Sequence, residues 1–582
     1  EVLKADSGTV AYRYPLGTGR NLWRQPVRPM AEHTRGGVPK QQFGTVSGSV
    51  EIVGKQSIRN IYSPTHTIDV KRNGETKVNI SFETKNNDTD FQLFYGLSNS
   101  DFGMSLITYR EPGKDGYFLL QLSPKDDISE KELVNKDIVF VLDTSGSMAE
   151  EGKMEKARKA LLFGIRTLRE GDRFNVIGFA GEERLMERAM IAANADGKKR
   201  GEDFVNKLQP TGGTNINDSL IASMKQFDKG DRPKMLVFMT DGLPTVGVRN
   251  VDKIIANLKA EKNVDVRVFP FGFGYDVNTT LLDRLGSENS GISDYVQPKE
   301  DLEIKVSNFF SRVSSPVLAD LELDLGPVLT EYMYPRKPTD LFRGMQLTII
   351  GRYKNAGDLN NITVRLTGKA GRESRSFTYN DLDFPLRSED NGFLPRLWAS
   401  RRVGWLLEQI RANGETKEVR DEVVDLGTRY GLVTPYTSYL ATDGSMATFR
   451  RDTPMDSRVA APAAKAMRER SGAGAVQMSI QQNSMQANDM VVAVEGKDED
   501  SQVVVRNSAR NQFVANKNFI NQSGVWVDSD FTETARLPVT TIKFASEEYF
   551  RLVTNEPSLA PYLALGEQVV IIWKGMVYRI TV

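Results

Sequence analysis

Apolar positions follow two different patterns along this chain. One pattern consists of short apolar runs separated by clusters of Gly, Asn, Asp and Pro, which is typical of a β-sandwich. These runs lie at residues 50–53, 77–82, 91–95, 104–109 and 117–122, and again at 319–325, 345–353 and 362–366. Between the two groups, apolar strands alternate with helical patterns, which predicts a parallel α/β sheet. We therefore expect an α/β domain inserted into one β-sandwich.

The candidate chemistry begins where the most apolar strand of the α/β region ends. Residues 138–142 read Ile-Val-Phe-Val-Leu, as in a strand that is covered on both faces, and Asp143-Thr-Ser145-Gly-Ser147 follows directly. A helical pattern comes next, at Met154, Ala157, Leu161, Ile165 and Leu168. A strand, loop and helix in this order place the loop at the carboxyl edge of a parallel sheet, where open α/β folds bind ligands.

Two later stretches carry more oxygen ligands. Pro210-Thr211-Gly-Gly-Thr214 contributes two candidate hydroxyls, and the apolar strand of residues 234–240 is followed by Asp241. The three loops converge if their strands are parallel neighbours. Hard divalent cations such as Mg²⁺ prefer oxygen ligands in near-octahedral geometry. The sequence therefore predicts a divalent metal site at this edge.

These motifs resemble the von Willebrand factor A (vWA) domain and its metal-ion-dependent adhesion site. The resemblance selects the five metal ligands, choosing Thr214 over Thr211 through the register Gly-Gly-Thr-Asn-Ile. They are Asp143, Ser145, Ser147, Thr214 and Asp241. Asp218 is expected to cap a helix or to support a ligand. The resemblance implies Mg²⁺, or Ca²⁺ or Mn²⁺, and a protein partner that supplies a Glu or Asp carboxylate to the metal.

A second resemblance covers roughly residues 1–445. Arg396-Leu-Trp398-Ala, a helical pair and Gly431-Leu-Val-Thr434-Pro435-Tyr-Thr-Ser438 are similar to motifs of the inter-alpha-trypsin inhibitor heavy chains and of bacterial proteins with VIT and vWA domains. The Asp-Pro-His-Phe ending of the animal heavy chains is absent from this sequence. Glycosaminoglycan transfer is therefore not implied.

The implied fold is multidomain, with a Rossmann-like vWA domain inserted in a hybrid-like β-sandwich. The segments are residues 1–44, the last strands of a VIT-like domain and a linker; 45–130, the first part of the sandwich; 131–313, the vWA domain; 314–385, the second part of the sandwich; 386–447, a helical segment; 448–515, a linker or extended segment; and 516–582, a small α+β C-terminal module. Residues 9–16 resemble only the final VIT strands. We therefore expect them to pair with a missing VIT portion or to take part in self-assembly.

Composition removes several classes of site. The 582-residue chain has no cysteine, which excludes disulfides, thiolate metal sites and cysteine nucleophiles. Its two histidines, His33 and His66, lie far in sequence from the metal motif and are expected on the surface or in loops. A zinc site or a histidine-dependent triad is therefore not expected.

Charge and hydropathy bear on partners and location. Lys and Arg total 76, as do Asp and Glu, so the balance favours neither nucleic acid nor a membrane surface as the partner. No apolar run approaches the roughly 18 residues of a membrane-spanning helix. The chain begins with Glu1 rather than Met, which fits a removed export signal. A secreted, cell-surface or periplasmic location is expected.

Three functions remain open. The leading hypothesis is a non-enzymatic adhesion or scaffold protein that binds a partner carboxylate through the metal. The first rival is a structural subunit of a larger extracellular or periplasmic assembly, whose metal serves folding only. The second is a metal-dependent hydrolase, against which stands the lack of a His, Lys or spare Glu in the motif loops to act as a general base.

Overall fold

The structure is a computed structural model of the chain. It describes residues 2–4, 9–14, 16, 45–54, 56–84, 91–98, 102–125, 133–298, 300, 305–306, 309–310, 316–342, 346–370, 373–437, 467–487, 511–514, 517–522, 524–531, 537–563 and 565–582. In these ranges the strands form six β-sheets, and helices pack on several of them.

Nine strands precede the α/β domain. They are β1 (Val2–Lys4), β2 (Thr9–Tyr14), β3 (Val46–Val53), β4 (Ile58–Tyr62), β5 (Asp69–Arg72), β6 (Lys77–Thr84), β7 (Phe91–Leu97), β8 (Phe102–Tyr109) and β9 (Gly116–Pro124). The first seven form the N-terminal sandwich, with one sheet in the order β1-β2-β7-β4 and another in the order β3-β6-β5. Strand β6 alternates exposed and buried residues, and its buried Phe82 stacks on Phe91 of β7 at a ring distance of 4.3 Å.

This arrangement corrects the predicted beginning of the chain. Strand β2 pairs antiparallel with β7 along its whole length, from Thr9 opposite Gly96 to Tyr14 opposite Phe91. The prediction that residues 9–16 need a sheet from outside the chain is therefore wrong. The prediction that residues 45–130 and 314–385 share one sandwich is also wrong for β3 to β7, because these strands complete a sandwich with β1 and β2. Residues 17–44 lie outside the described residues.

The α/β domain follows β9. Its elements are β10 (Asp137–Asp143), a 3-10 turn (Gly146–Gly152), α1 (Lys153–Thr167), β11 (Arg173–Phe179), β12 (Glu183–Leu185), β13 (Ile191–Ala192), α2 (Ala195–Lys207), α3 (Ile216–Met224), β14 (Lys234–Thr240), α4 (Val251–Glu261), β15 (Val266–Phe273), α5 (Thr279–Ser287) and β16 (Asp294–Val296). The sheet order is β12-β11-β10-β14-β15-β16, with β13 also paired to β11. Strands β10 and β14 are buried at every position, because helices cover both faces of the sheet.

Six strands follow the α/β domain and form the second sandwich with β8 and β9. They are β17 (Pro316–Asp324), β18 (Thr330–Tyr334), β19 (Leu341–Phe342), β20 (Leu347–Tyr353), β21 (Leu359–Ala370) and β22 (Glu373–Phe384). The two sheets run β18-β20-β9-β8 and β19-β17-β21-β22. Strand β9 pairs with β20 from Gly116 opposite Tyr353 to Leu122 opposite Leu347, so one sheet contains strands from both sides of the α/β domain.

Helices and a last sheet complete the described chain. They are α6 (Leu394–Asn413), α7 (Lys417–Tyr430), α8 (Ala473–Ala487), β23 (Asn511–Val514), β24 (Lys517–Gln522), β25 (Val525–Asp528), β26 (Val539–Lys543), α9 (Glu547–Asn555), a 3-10 turn (Pro557–Leu559), α10 (Ala560–Leu563), β27 (Val569–Trp573) and β28 (Met576–Thr581). Thr416 caps the start of α7, and Gly431 ends it in a left-handed conformation at φ 61°. The last sheet runs β23-β24-β25-β27-β28-β26.

Helix α8 corrects the predicted linker of residues 448–515. Ala475, Val476 and Ser479 are fully buried on one face of this helix. The opposite helix α6 comes close, because a Cβ at Gly404 would lie 2.9 Å from Gln486 Cγ. The predicted linker is wrong for residues 473–487, since the helix buries small side chains and also packs Met478, Met485 and Ile480 against neighbouring cores. Residues 438–466 and 488–510 lie outside the described residues.

The pairing of β2 with β7 predicts a specific crosslink. Arg13 and Gln92 stand opposite each other in this pair, and the chain contains no native cysteine to compete. The double variant Arg13→Cys with Gln92→Cys should form an intramolecular disulfide on mild oxidation, because directly opposed strand residues lie within disulfide reach. Non-reducing electrophoresis with peptide mapping measures the bond.

The matched control joins Arg13→Cys to Ser374→Cys in β22 of the second sandwich, and this pair should stay reduced. Crosslinking of the control pair, with none between positions 13 and 92, would contradict the assignment of β2 to the N-terminal sandwich.

Candidate metal-binding site of the α/β domain

Strand register brings the predicted motifs to one edge of the sheet. Strands β10 and β14 are parallel neighbours, with Asp137 opposite Lys234 and Leu142 opposite Met239. Asp143 and Asp241 therefore follow at the same edge. The loop of residues 210–214 is tied to the loop that follows Asp143 by backbone hydrogen bonds, from Gly146 N to Gly212 O at 3.0 Å and from Thr211 N to Thr144 O at 2.7 Å.

Four of the five predicted ligands form a continuous chain of hydrogen bonds. The Ser145 amide donates to Asp143 Oδ1 at 2.8 Å, and Ser145 Oγ lies 3.1 Å from Ser147 Oγ. Ser147 Oγ then donates to Asp241 Oδ1 at 2.8 Å. The second oxygen of Asp143 accepts from Thr240 Oγ1 at 2.5 Å. The two carboxylates are thus linked through the Ser145 amide and the hydroxyls of Ser145 and Ser147.

Thr214 lies beside this chain, in a loop that interlocks with the loop after Asp241. Its amide donates to Thr245 Oγ1 at 2.8 Å, and its carbonyl accepts from Thr245 N at 2.9 Å. Thr214 is buried, whereas the competing Thr211 is exposed. Asp218 is also exposed, and it accepts hydrogen bonds from Asn215 and Asn217. Its contacts are those of a supporting residue of the loop.

Burial shapes the electrostatics of the cluster. Asp143 and Asp241 are at most 1% exposed. Desolvation raises the pKa of Asp143 to about 6, although the hydrogen bonds from Thr240 and Ser145 oppose the shift; the negative charge of Asp241 adds to it. Two neighbouring buried carboxylates need positive charge nearby to remain ionised.

Lys153 supplies such charge and was not among the predicted site residues. It is the first residue of α1, and its Nζ lies 3.0 Å from Asp241 Oδ2. Its signal in the sequence is its place directly after Gly152, where the turn that carries Ser147 enters the helix. A cation therefore already contacts the predicted metal ligands, which form an oxygen-only set suited to a hard divalent ion. The residues present fit such an ion.

A second buried polar cluster ties the α/β domain to helices α6 and α8. Arg411 of α6 is only 3% exposed at its side chain, and it donates to Asp283 Oδ2 of α5 at 2.7 Å. It also donates to Thr279 and to Ser479 of α8, both at 2.5 Å. Tyr295 donates to the other oxygen of Asp283 at 2.6 Å. One arginine thus joins three elements.

The chain before α8 reaches the loop that follows β15. Gly472 N donates to Tyr275 O at 2.8 Å, and Thr279 N donates to Arg470 O at 2.8 Å. This loop belongs to the same edge as the candidate site, since a Cβ at Gly274 would lie 4.0 Å from Lys153 Cε. The edge of the site is therefore held by chain segments from outside the α/β domain.

Of the two histidines, the structure describes His66. His66 lies in the loop between β4 and β5, and its buried ring packs against both Phe82 and Phe91, at ring distances of 5.2 and 5.4 Å. His33 lies outside the described residues. In the described part of the chain, no helix has the length and apolar character needed to cross a membrane.

A family match decides the identity of the α/β domain. The sequence profile of the von Willebrand factor type A domain matches residues 136–295, which span β10 to β16. Residues 136–295 are a vWA domain. This confirms the domain type predicted from the three motifs, while the role of the five individual ligands stays a prediction.

The wider resemblance is also confirmed. The chain is 26% identical over 375 residues to mouse inter alpha-trypsin inhibitor heavy chain 4, covering 61% of this chain and 38% of that protein. It is 27% identical over 368 residues to human heavy chain H3, covering 60% of this chain and 41% of that protein. A solved von Willebrand factor type A structure from Catenulispora acidiphila is 16% identical with a TM-score of 0.43, covering 57% of this chain and 88% of that one. The chain spans about two fifths of the heavy chains that it matches.

The Lys153 contact predicts a change in metal affinity. In Lys153→Met, Mg²⁺ should bind about tenfold more tightly, because the cation that competes for Asp241 and repels a dication is removed. Titration calorimetry measures the affinity. Lys156→Met, at an exposed position of the same helix, is the control and should leave it unchanged. Weaker Mg²⁺ binding in Lys153→Met alone would contradict the competition.

The Arg411 cluster predicts a large effect on stability. Arg411→Met should lower the free energy of unfolding by about 3–5 kcal/mol, because the buried Asp283 carboxylate loses its charge partner. Urea denaturation followed by tryptophan fluorescence measures the change.

The double variant Arg411→Met with Asp283→Leu should recover part of the loss, since no unpaired charge remains. An Arg411→Met protein as stable as the wild type would show that the pair contributes no net stability.

Proposed function

We propose that this chain is an exported, non-enzymatic adhesion or scaffold protein whose vWA domain binds a protein partner through a divalent metal. Asp143, Ser145, Ser147, Thr214 and Asp241 would hold the ion, which is Mg²⁺, or Ca²⁺ or Mn²⁺. The observation that carries the proposal is the hydrogen-bonded chain from Asp143 to Asp241 at the carboxyl edge of β10 and β14. When bound, the metal would supply a strong bond to an incoming carboxylate oxygen.

The residues themselves support binding more than catalysis. Both oxygens of Asp143 and of Asp241 accept hydrogen bonds within the cluster. Lys153, while it donates to Asp241 as an ammonium, has no lone pair to accept a proton from water. A metal-dependent hydrolase would need a general base, and the hydrogen bonds of the cluster assign that role to none of these groups.

The domain organisation supports a scaffold role. The chain leaves the second sandwich after β9, forms the vWA domain and returns to the sandwich at β17, and β9 pairs with the later strand β20 in one sheet. The hybrid-like identity of this sandwich, the VIT-like identity of the strands within residues 1–44 and the small C-terminal α+β module are inferred from the resemblance to the heavy chains and the related bacterial proteins. A secreted, cell-surface or periplasmic location is part of the same proposal. A structural subunit with a metal that serves folding alone is the remaining alternative.

Removal of one ligand tests the proposal. Asp143→Ala should abolish Mg²⁺ binding in calorimetry and capture of the partner in pull-downs, while circular dichroism stays unchanged because Asp143 lies at the end of its strand. EDTA should have the same effect on the wild type. Asp276→Ala, at an exposed carboxylate of the same edge, is the matched control and should keep both activities.

The outcomes separate the alternatives. Metal binding that disappears without any change in partner capture would support a metal that serves folding only. Unchanged Mg²⁺ binding in Asp143→Ala would refute the assigned site.

A further inference from the structure

The edge of the metal site carries exposed apolar side chains on one side. Leu243 is 40% exposed, and Val246 and Tyr275 are each 37% exposed. They lie in the loops that follow β14 and β15, whereas apolar side chains of this size are normally buried or scattered. We call these three residues the apolar rim.

Backbone contacts place the apolar rim next to the predicted ligands. Leu243 follows Asp241 by two positions. Val246 N donates to Thr214 O at 3.2 Å, and the Val246 side chain lies against Gly213, where a Cβ would come within 2.7 Å of it. Tyr275 follows Gly274, which lies beside the Lys153 side chain. The rim therefore borders the site along the β14 and β15 loops.

Buried and hydrogen-bonded positions hold the backbone of the loops that carry the rim. Pro244, within the first loop, is buried, and the second loop is held by the hydrogen bond from Gly472 to Tyr275 O. Apolar side chains displayed on a fixed backbone lose little conformational freedom when a ligand covers them. Their burial would then contribute to affinity.

The charges around the edge do not favour a second charged residue on the partner. Glu150, Glu151 and Asp276 are exposed carboxylates there, while Arg249 and Arg470 are exposed cations in adjoining loops. None of these five forms an ion pair with another described residue. Because both signs are present, a neighbouring acid or base on the partner would meet attraction and repulsion together.

We propose that the vWA domain recognises a protein segment in which a single Glu or Asp is flanked by bulky apolar residues. The carboxylate goes to the metal site, and the flanking side chains cover Leu243, Val246 and Tyr275. This inference rests on the proposed metal-dependent binding and adds the chemical class of its ligand. Burial of apolar area beside the carboxylate supplies the selectivity that the mixed charges do not.

Three short fluorescein-labelled peptides test the inference on the full chain in millimolar Mg²⁺. Their central residues are Leu-Glu-Leu, Ser-Glu-Ser and Leu-Gln-Leu, and fluorescence anisotropy measures their affinities. The Leu-Glu-Leu peptide should bind about tenfold more tightly than Ser-Glu-Ser, which corresponds to about 1.4 kcal/mol. EDTA should abolish both, and Leu-Gln-Leu should not bind.

A rim variant identifies the surface responsible. In the double variant Leu243→Ser with Val246→Ser, the two glutamate peptides should bind equally, and Mg²⁺ affinity by calorimetry should match the wild type. Leu329→Ser is the control, since Leu329 is 68% exposed but belongs to the second sandwich, and it should preserve the tenfold preference.

The outcomes distinguish this inference from the proposed function. Equal, EDTA-sensitive binding of both glutamate peptides to the wild type would overturn the apolar rim and leave metal-dependent binding intact. A preference that survives in the double variant would also overturn it. Binding that EDTA does not affect, or no binding of either glutamate peptide, would refute the proposed function and this inference with it.

Discussion

The site depends on the parallel pairing of β10 with β14 at the centre of the vWA sheet. Both strands are buried at every position, so a shift of register by one residue would move every side chain to the other covered face and disrupt the packing on both sides of the sheet. The observed register ends each strand next to an aspartate. Core packing thereby brings Asp143 and Asp241 together, although their charges repel each other. Hydrophobic burial supplies the energy that holds this arrangement.

The surrounding groups reduce the free-energy cost of burying the two carboxylates without removing it. Thr240, Ser145 and Ser147 donate hydrogen bonds, and Lys153 contributes one positive charge. Two ionised carboxylates and one ammonium still leave a net negative charge. The pKa of Asp143 is raised chiefly by desolvation, and the charge of Asp241 adds to the shift. A site that is short of positive charge has a thermodynamic reason to bind a dication. We expect Lys153 to lower the affinity for such an ion, because its positive charge lies beside the same carboxylate.

A contact could be predicted from the sequence only where it leaves a recognisable pattern of residues. A strand covered on both faces reads as an unbroken apolar run, so β10 and β14 and the aspartates after them could be located from sequence. The pairing of sandwich strands leaves no comparable pattern in the sequence. Neither β2 nor β7 shows a regular alternation of buried and exposed residues, and their pairing depends on which sheet completes the core around Phe82 and Phe91. Lys153 was missed because an ion pair across a turn depends on three-dimensional closure rather than on a pattern.

Helix α8 could not be predicted from the composition of its segment. Its fully buried positions are Ala475, Val476 and Ser479, which resemble linker residues when large side chains are taken as the sign of a core. Small residues let α8 approach α6 closely enough for Ser479 to join Arg411 and Asp283, whereas larger ones would hold the helices apart. The same approach positions Gly472 and Arg470 against the loop after β15. Close packing far along the chain therefore helps to fix the edge of the vWA domain on which the candidate site lies.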